Sequence, residues 1–157
     1  EYSTIDGPAP LKLQTQGLLF GSENEAVTGG RIATTQALSG TGALRVVSEF
    51  VKQHLPPAAH EVWISDPTWG NHNAIFKSAG LTVKSYPYYE PKTRGFNFEG
   101  MMNCLKNEVP PGALILLHAC AHNPTGVDPT EDQWRQIVEV FKAKKLVALM
   151  DSAYQGY

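Results

Sequence analysis

Leu114 to Gly126 reads LILLHACAHNPTG, an apolar run that ends abruptly in two histidines, an asparagine, a proline and a glycine. A short apolar run bounded by turn formers reads as a buried strand, and its polar C-terminal end is where α/β proteins bind ligands. Upstream of it, Pro110-Pro111-Gly112 breaks a helix predicted over Phe98–Asn107, and the strand itself is placed at Ala113–His118. Downstream, Asp128-Pro129-Thr130 starts a helix over Glu131–Lys144, and a strand over Leu146–Met150 enters Asp151.

The remaining chain repeats this alternation. Pro8–Phe20 reads as a helix with proline in its first turn, Ser22–Gly30 as a loop, and Arg31–Leu38 as a strand that runs into Ser39-Gly40-Thr41-Gly42. Ala43–His54 places Leu44, Val47, Phe50 and Val51 at helical spacing. A strand at Glu61–Ser65 follows, then the loop DPTWGNH and a short helix that Ala74–Ala79 completes. A strand at Leu81–Tyr86 and a turn-rich connection at Pro87–Gly95 complete the series. Five strands interleaved with helices predict an α/β fold, three-layered with a mostly parallel sheet.

Composition bounds the function. A chain of 157 residues, 42% hydrophobic and 10% aromatic, can bury the core of one domain. Thirteen basic against fifteen acidic residues, without a block of like charge, give no electrostatic footprint for nucleic acid or an anionic membrane. Cys104 and Cys120 make no disulfide framework and fit a reducing compartment, so the reading is cytoplasmic, with a mitochondrial location left open. No apolar run approaches the ~18 residues of a membrane span, and no signal peptide opens the chain. Residue 1 is Glu and the chain stops at Tyr157 just after a strand-like run, so both ends read as cut from something longer.

Each strand end carries polar residues with two readings. Ser39, Gly40 and Thr41 open a helix and are suited to a phosphate, or serve as a plain cap. Trp69 offers a plane for a flat ligand, or fills the edge of the core. His118, Cys120 and His122 at i, i+2, i+4 share one face if the strand continues through them, which admits zinc with Asp151 as a fourth ligand; packing and hydrogen bonding is the alternative. Asn123 precedes Pro124, so its amide is aimed from an extended backbone, or the segment is a simple turn. Asp151 at a buried strand end needs a partner such as a cationic ring nitrogen, or caps a helix.

The segments EYSTIDG (1–7), LSGTGALR (38–45), PTWGNH (67–72), HACAHNPTGVDP (118–129) and DSAYQGY (151–157), in this order and spacing, resemble the aspartate aminotransferases of the type I fold of pyridoxal 5'-phosphate enzymes. The resemblance covers the whole chain. It implies that residues 1–157 are an incomplete piece of the large cofactor-binding domain, with the small domain and the Schiff-base lysine segment outside it. It further implies Ser39, Gly40 and Thr41 as the phosphate cup, Tyr2 as a residue reaching the phosphate of the neighbouring subunit of a homodimer, and Trp69 as the ring stacked on the pyridine. Asn123 and Tyr154 would bond the phenolic oxygen and Asp151 the ring nitrogen, with His72 supporting Asp151 and His118 and His122 behind them. No metal is implied. The implied reaction moves the amino group of L-aspartate to 2-oxoglutarate, giving oxaloacetate and L-glutamate.

Lys77, Lys84, Lys142, Lys144 and Lys145 lack the context of the family's covalent lysine, and Arg31, Arg45, Arg94 and Arg135 match neither of its substrate arginines. The chain alone is therefore expected not to turn over. Three further readings stand beside this one: an aromatic amino-acid aminotransferase, a truncated chain that only binds cofactor or partner, and a zinc hydrolase on His118, His122 and Asp151.

Overall fold

The computed structural model describes residues 2–155 and divides into two compact units, Glu1–Ala43 and Leu44–Tyr157, taken separately below. The first unit holds helix α1 (Ala9–Phe20), with Pro10 in its first turn, and the short helix α2 (Glu25–Thr28), which Asn24 caps by accepting from the Ala26 N–H at 2.8 Å. Arg31–Leu38, predicted as a strand, pairs with no sheet among the described residues. Its polar groups go elsewhere: Gln16 Nε2 donates to Ile32 O and Thr34 Oγ1, and the Gln36 N–H donates to Asp6 O. Residues 39–43 open helix α3 (Ser39–His54), so the SGTG segment is the helix's first turn rather than a loop before it.

The second unit is built on four parallel strands: β1 (Glu61–Asp66), β2 (Thr82–Pro87), β5 (Leu114–His118) and β6 (Val147–Asp151), in the order β2-β1-β5-β6. Between them run α4 (Asn71–Ser78), α5 (Phe98–Asn107) and α6 (Glu131–Lys144). The connection read as turn-rich carries a small antiparallel ladder, β3 (Tyr89–Glu90) with β4 (Gly95–Phe96).

Strand β5 is buried at every residue because it lies between β1 and β6. Its side chains alternate between two cores. Leu114 and Leu116 join Val62, Ile64, Ile75 and Phe76 under the Leu44–His54 part of α3 and α4, whereas Ile115 and Leu117 join Trp63, Met101, Leu105 and Ile137 under α5 and α6. Helices on both faces of a parallel sheet make the three-layer α/β fold. After β2 the chain crosses to the other side of β1 to form β5, so the winding reverses between β1 and β5. Ligands of such sheets bind outside the strand ends at this reversal. No helix among the described residues is long and apolar enough to cross a membrane.

Candidate active site

The register of β5 with β6 pairs His118 with Asp151, which sets both side chains at the carboxyl ends of adjacent strands. The loop after β1 brings Thr68 and Trp69, and α4 begins just beyond it, placing His72 in its first turn with no exposed surface. His72 Nε2 lies 2.9 Å from Asp151 Oδ2, and that hydrogen bond, outweighing burial, holds the Asp151 carboxyl below its ordinary range. Trp69, His118, Cys120, Ala121, Asn123, Asp151, Ala153 and Tyr154 surround one cavity of about 260 Å³. Trp69 is half-buried, meets the His72 ring edge-on at 5.3 Å, and also packs against the core under α4. The packing reading of that indole holds, and the same ring lines the cavity.

Behind the cavity, with each imidazole carrying one proton, the hydrogen bonds admit one ordering. The Asn123 peptide N–H donates to His118 Nδ1 at 3.2 Å, so the His118 proton sits on Nε2, which faces Thr68 Oγ1 at 3.4 Å. Thr68 Oγ1, accepting there, donates to His72 Nδ1 at 2.7 Å, and His72 Nε2–H donates to the Asp151 carboxylate. Burial first, and then the neighbouring His72, lowers the His118 pKa and keeps that ring neutral, as the ordering requires. A continuous chain thus runs from the backbone of the Asn123 loop to Asp151.

The zinc arrangement does not form as read. Strand β5 ends at His118, so Cys120 and His122 do not continue its face, and Cys120 is exposed. His122 instead turns inward, 1% exposed, with Nε2 2.8 Å from Ser65 Oγ and Nδ1 2.7 Å from Thr125 Oγ1. Its ring lies between those of Tyr88, at 3.7 Å, and His118, at 4.3 Å. Burial lowers its pKa to about 4. His72, His118 and Asp151 offer ligand atoms within 4.8 Å of one another, and the same three side chains are joined by the hydrogen bonds above.

Thr68, Ser65 and Tyr88 are not singled out in the sequence, and Asp128 is read there only as part of a helix start. Thr68 lies in the loop just before the helix that carries His72, so helical spacing gives no signal for it. Ser39, Gly40 and Thr41 lie in the first turn of α3, within the Glu1–Ala43 unit, and a Cβ on Gly40 would meet open space. Tyr2 is fully exposed.

A carboxylate held by a histidine, an indole, an asparagine and a tyrosine thus surround one cavity at the winding reversal of an α/β domain. Residues 1–157 match the model of the aminotransferase class I and II family, and the chain belongs to that family. It is 51% identical to the cytoplasmic aspartate aminotransferase of Oryza sativa subsp. japonica, matching all of this chain and 38% of the rice protein. It is 48% identical to aspartate aminotransferase 1 of Medicago sativa, across all of this chain and 37% of that one. Among solved structures, the mitochondrial aspartate aminotransferase of Trypanosoma brucei superposes with a TM-score of 0.95 at 42% identity, over 99% of this chain and 40% of its own. An aromatic-amino-acid aminotransferase of Burkholderia pseudomallei, covalently bound to pyridoxal phosphate, superposes with a TM-score of 0.95 at 49% identity, over 100% of this chain and 39% of its own. The chain spans less than two fifths of the length of these curated relatives.

Proposed function

We propose that residues 1–157 are part of the large domain of an aspartate aminotransferase that moves the amino group of L-aspartate to 2-oxoglutarate with pyridoxal 5'-phosphate. The observation that carries this reading is the Asp151 carboxylate, kept ionised by His72 in a cavity that Trp69, Asn123 and Tyr154 share. That set fits the cofactor: an anion for a cationic ring nitrogen, a plane for a flat ring, and an amide and a phenol for an oxygen.

When bound, pyridoxal 5'-phosphate supplies an electron sink whose strength depends on a protonated ring nitrogen. Asp151 holds that proton, and His72 holds Asp151. Trp69 would offer its plane to the flat ring, and the Asn123 amide and Tyr154 hydroxyl would serve the phenolic oxygen. Ser39, Gly40 and Thr41 bind the phosphate where the N-terminus of α3 presents free N–H groups and a positive dipole end. Tyr2 reaches the equivalent phosphate of a second subunit, so the working unit is a homodimer. His118 and His122 support the Asn123 loop. The covalent lysine, the substrate arginines and the small domain come from outside these residues. A cytoplasmic location is supported by the rice relative's printed name, beside mitochondrial and chloroplastic relatives.

The test is turnover by the protein carrying this chain, with kcat/KM for L-aspartate expected at least about tenfold above that for L-phenylalanine, a difference of 1.4 kcal/mol in transition-state binding. The reverse ratio would favour the second reading, an aromatic amino-acid aminotransferase, which the 49% identity to the Burkholderia enzyme supports. Borohydride reduction of the 157-residue chain with the cofactor should leave its intact mass unchanged; a reduced adduct would refute the reading that the lysine lies elsewhere.

A further inference from the structure

We infer that Asp128 is a positioning residue for Asn123, its carboxylate closing a backbone anion nest that fixes the loop between β5 and α6. This rests on the proposed role of Asn123 at the cofactor. Ala121 takes a left-handed conformation, φ 49°, which an L-residue adopts only when something holds it there. That conformation turns two successive N–H groups, of Ala121 and His122, toward one point, the geometry that binds anions. Asp128 occupies the point: Oδ2 accepts from the Ala121 N–H at 2.7 Å and Oδ1 from the His122 N–H at 2.9 Å.

The carboxylate is itself anchored. Val127 O, on the preceding residue, accepts from Tyr88 OH at 2.7 Å, and Thr130, two residues on, caps α6. Asp128 therefore ties the loop to the start of a helix, and the loop's next residue is Asn123, whose own N–H is committed to His118. Sequence alone assigns Asp128 to the helix start. In the structure the cap is Thr130, which leaves the Asp128 side chain to the loop.

The test uses the protein carrying this chain, as wild type, Asp128→Asn, Ala121→Gly and the double variant, with two readouts: amide hydrogen exchange and pyridoxal 5'-phosphate affinity. Asp128→Asn keeps the shape but loses the charge and one acceptor, so exchange at Ala121 and His122 should rise about tenfold, with Leu114–His118 unchanged. The cofactor Kd should rise about tenfold. In the double variant Ala121→Gly should recover part of both losses relative to Asp128→Asn alone, because glycine removes the cost of the left-handed turn. Unchanged exchange at the two amides, an equal rise along Leu114–His118, a Kd within twofold of wild type, or a loss of fold that Ala121→Gly does not repair would each overturn the inference. A wild-type protein that binds no cofactor would refute the proposed function instead, and the exchange readout would still decide whether Asp128 holds the loop.

Discussion

Thr68 links two imidazoles, donating to His72 Nδ1 and accepting from His118 Nε2. Thr68→Val would leave His72 Nδ1 inside the fold without a donor, a cost of about 1–3 kcal/mol, while Thr68→Ser would stay within about 0.5 kcal/mol of wild type. Imidazole ¹⁵N shifts should show the His72 Nδ1 resonance displaced in the valine variant and kept in the serine variant, with His72 Nε2 protonated toward Asp151 in both; an undisplaced Nδ1 in the valine variant would show that it does not accept from Thr68. At the cavity, Asp151→Ala should lower turnover by at least about 100-fold with the fold retained, since it removes a preorganised charge. Trp69→Phe keeps a plane and should cost less than about tenfold. Equal losses in the two variants would sink these roles. The acid limb of stability follows from His122. Unfolded histidine takes up a proton below about 6.5, whereas His122 in the fold does so only near 4, so lowering the pH through that window stabilises the unfolded state. The urea midpoint should fall between pH 6.5 and 4, and His122→Gln should flatten that slope; below it, protonation of Asp151 removes a further increment, because its depressed carboxyl contributes only while ionised. The titrating and polar residues at strand ends were visible in the sequence as chemistry. Their partners were not, because Ser65 and His122 are 57 residues apart, and His72 and Asp151 are 79 apart.

Elements differ in how much of their cause is local. Helix α6 carries its own start signal: Thr130 accepts from the Gln133 N–H, and Gln133 Oε1 accepts from the Thr130 N–H at 2.8 Å. Its bounds were accordingly legible in the sequence. Its far end is tied across to α5, where Lys144 Nζ donates to Leu105 O and Lys106 O at 2.8 Å and also to Val109 O. Thr130→Ala should destabilise the fold by about 1 kcal/mol, with a shift in urea midpoint at constant slope, and a null result would show that the cap is redundant with that tie. Strands are less local. Arg31–Leu38 has the residue types of a strand, yet a strand exists only through its partner, and there the polar groups are taken by Gln16 and Asp6. Leu114–His118 was legible because burial on both faces leaves a continuous apolar signature.

Across the whole molecule, burial is concentrated on one side of the unit boundary. Every buried hydrophobic residue falls from Leu44 onward, whereas among residues 2–43 only Gly7 is buried. Helix α1 buries none of its residues, and Leu11, Leu13, Leu18, Leu19 and Phe20 stand 44%, 66%, 62%, 46% and 50% exposed. A twelve-residue helix is marginal in water without packing, so the Glu1–Ala43 unit has little to hold it against local opening. The Leu44–Tyr157 unit has a sheet filled on both faces, and its amides open only with that core. Amide exchange in the 157-residue chain should therefore resolve into two classes, with α1 protected at least about 1,000-fold less than β1 and β5. Leu116→Ala, at a residue with no exposed surface, should cost about 2–5 kcal/mol and accelerate exchange throughout the second unit while leaving α1 as it was. Protection of α1 equal to that of β5, or its loss in step with β5 in Leu116→Ala, would show that the two units open as one and would overturn this division of stability.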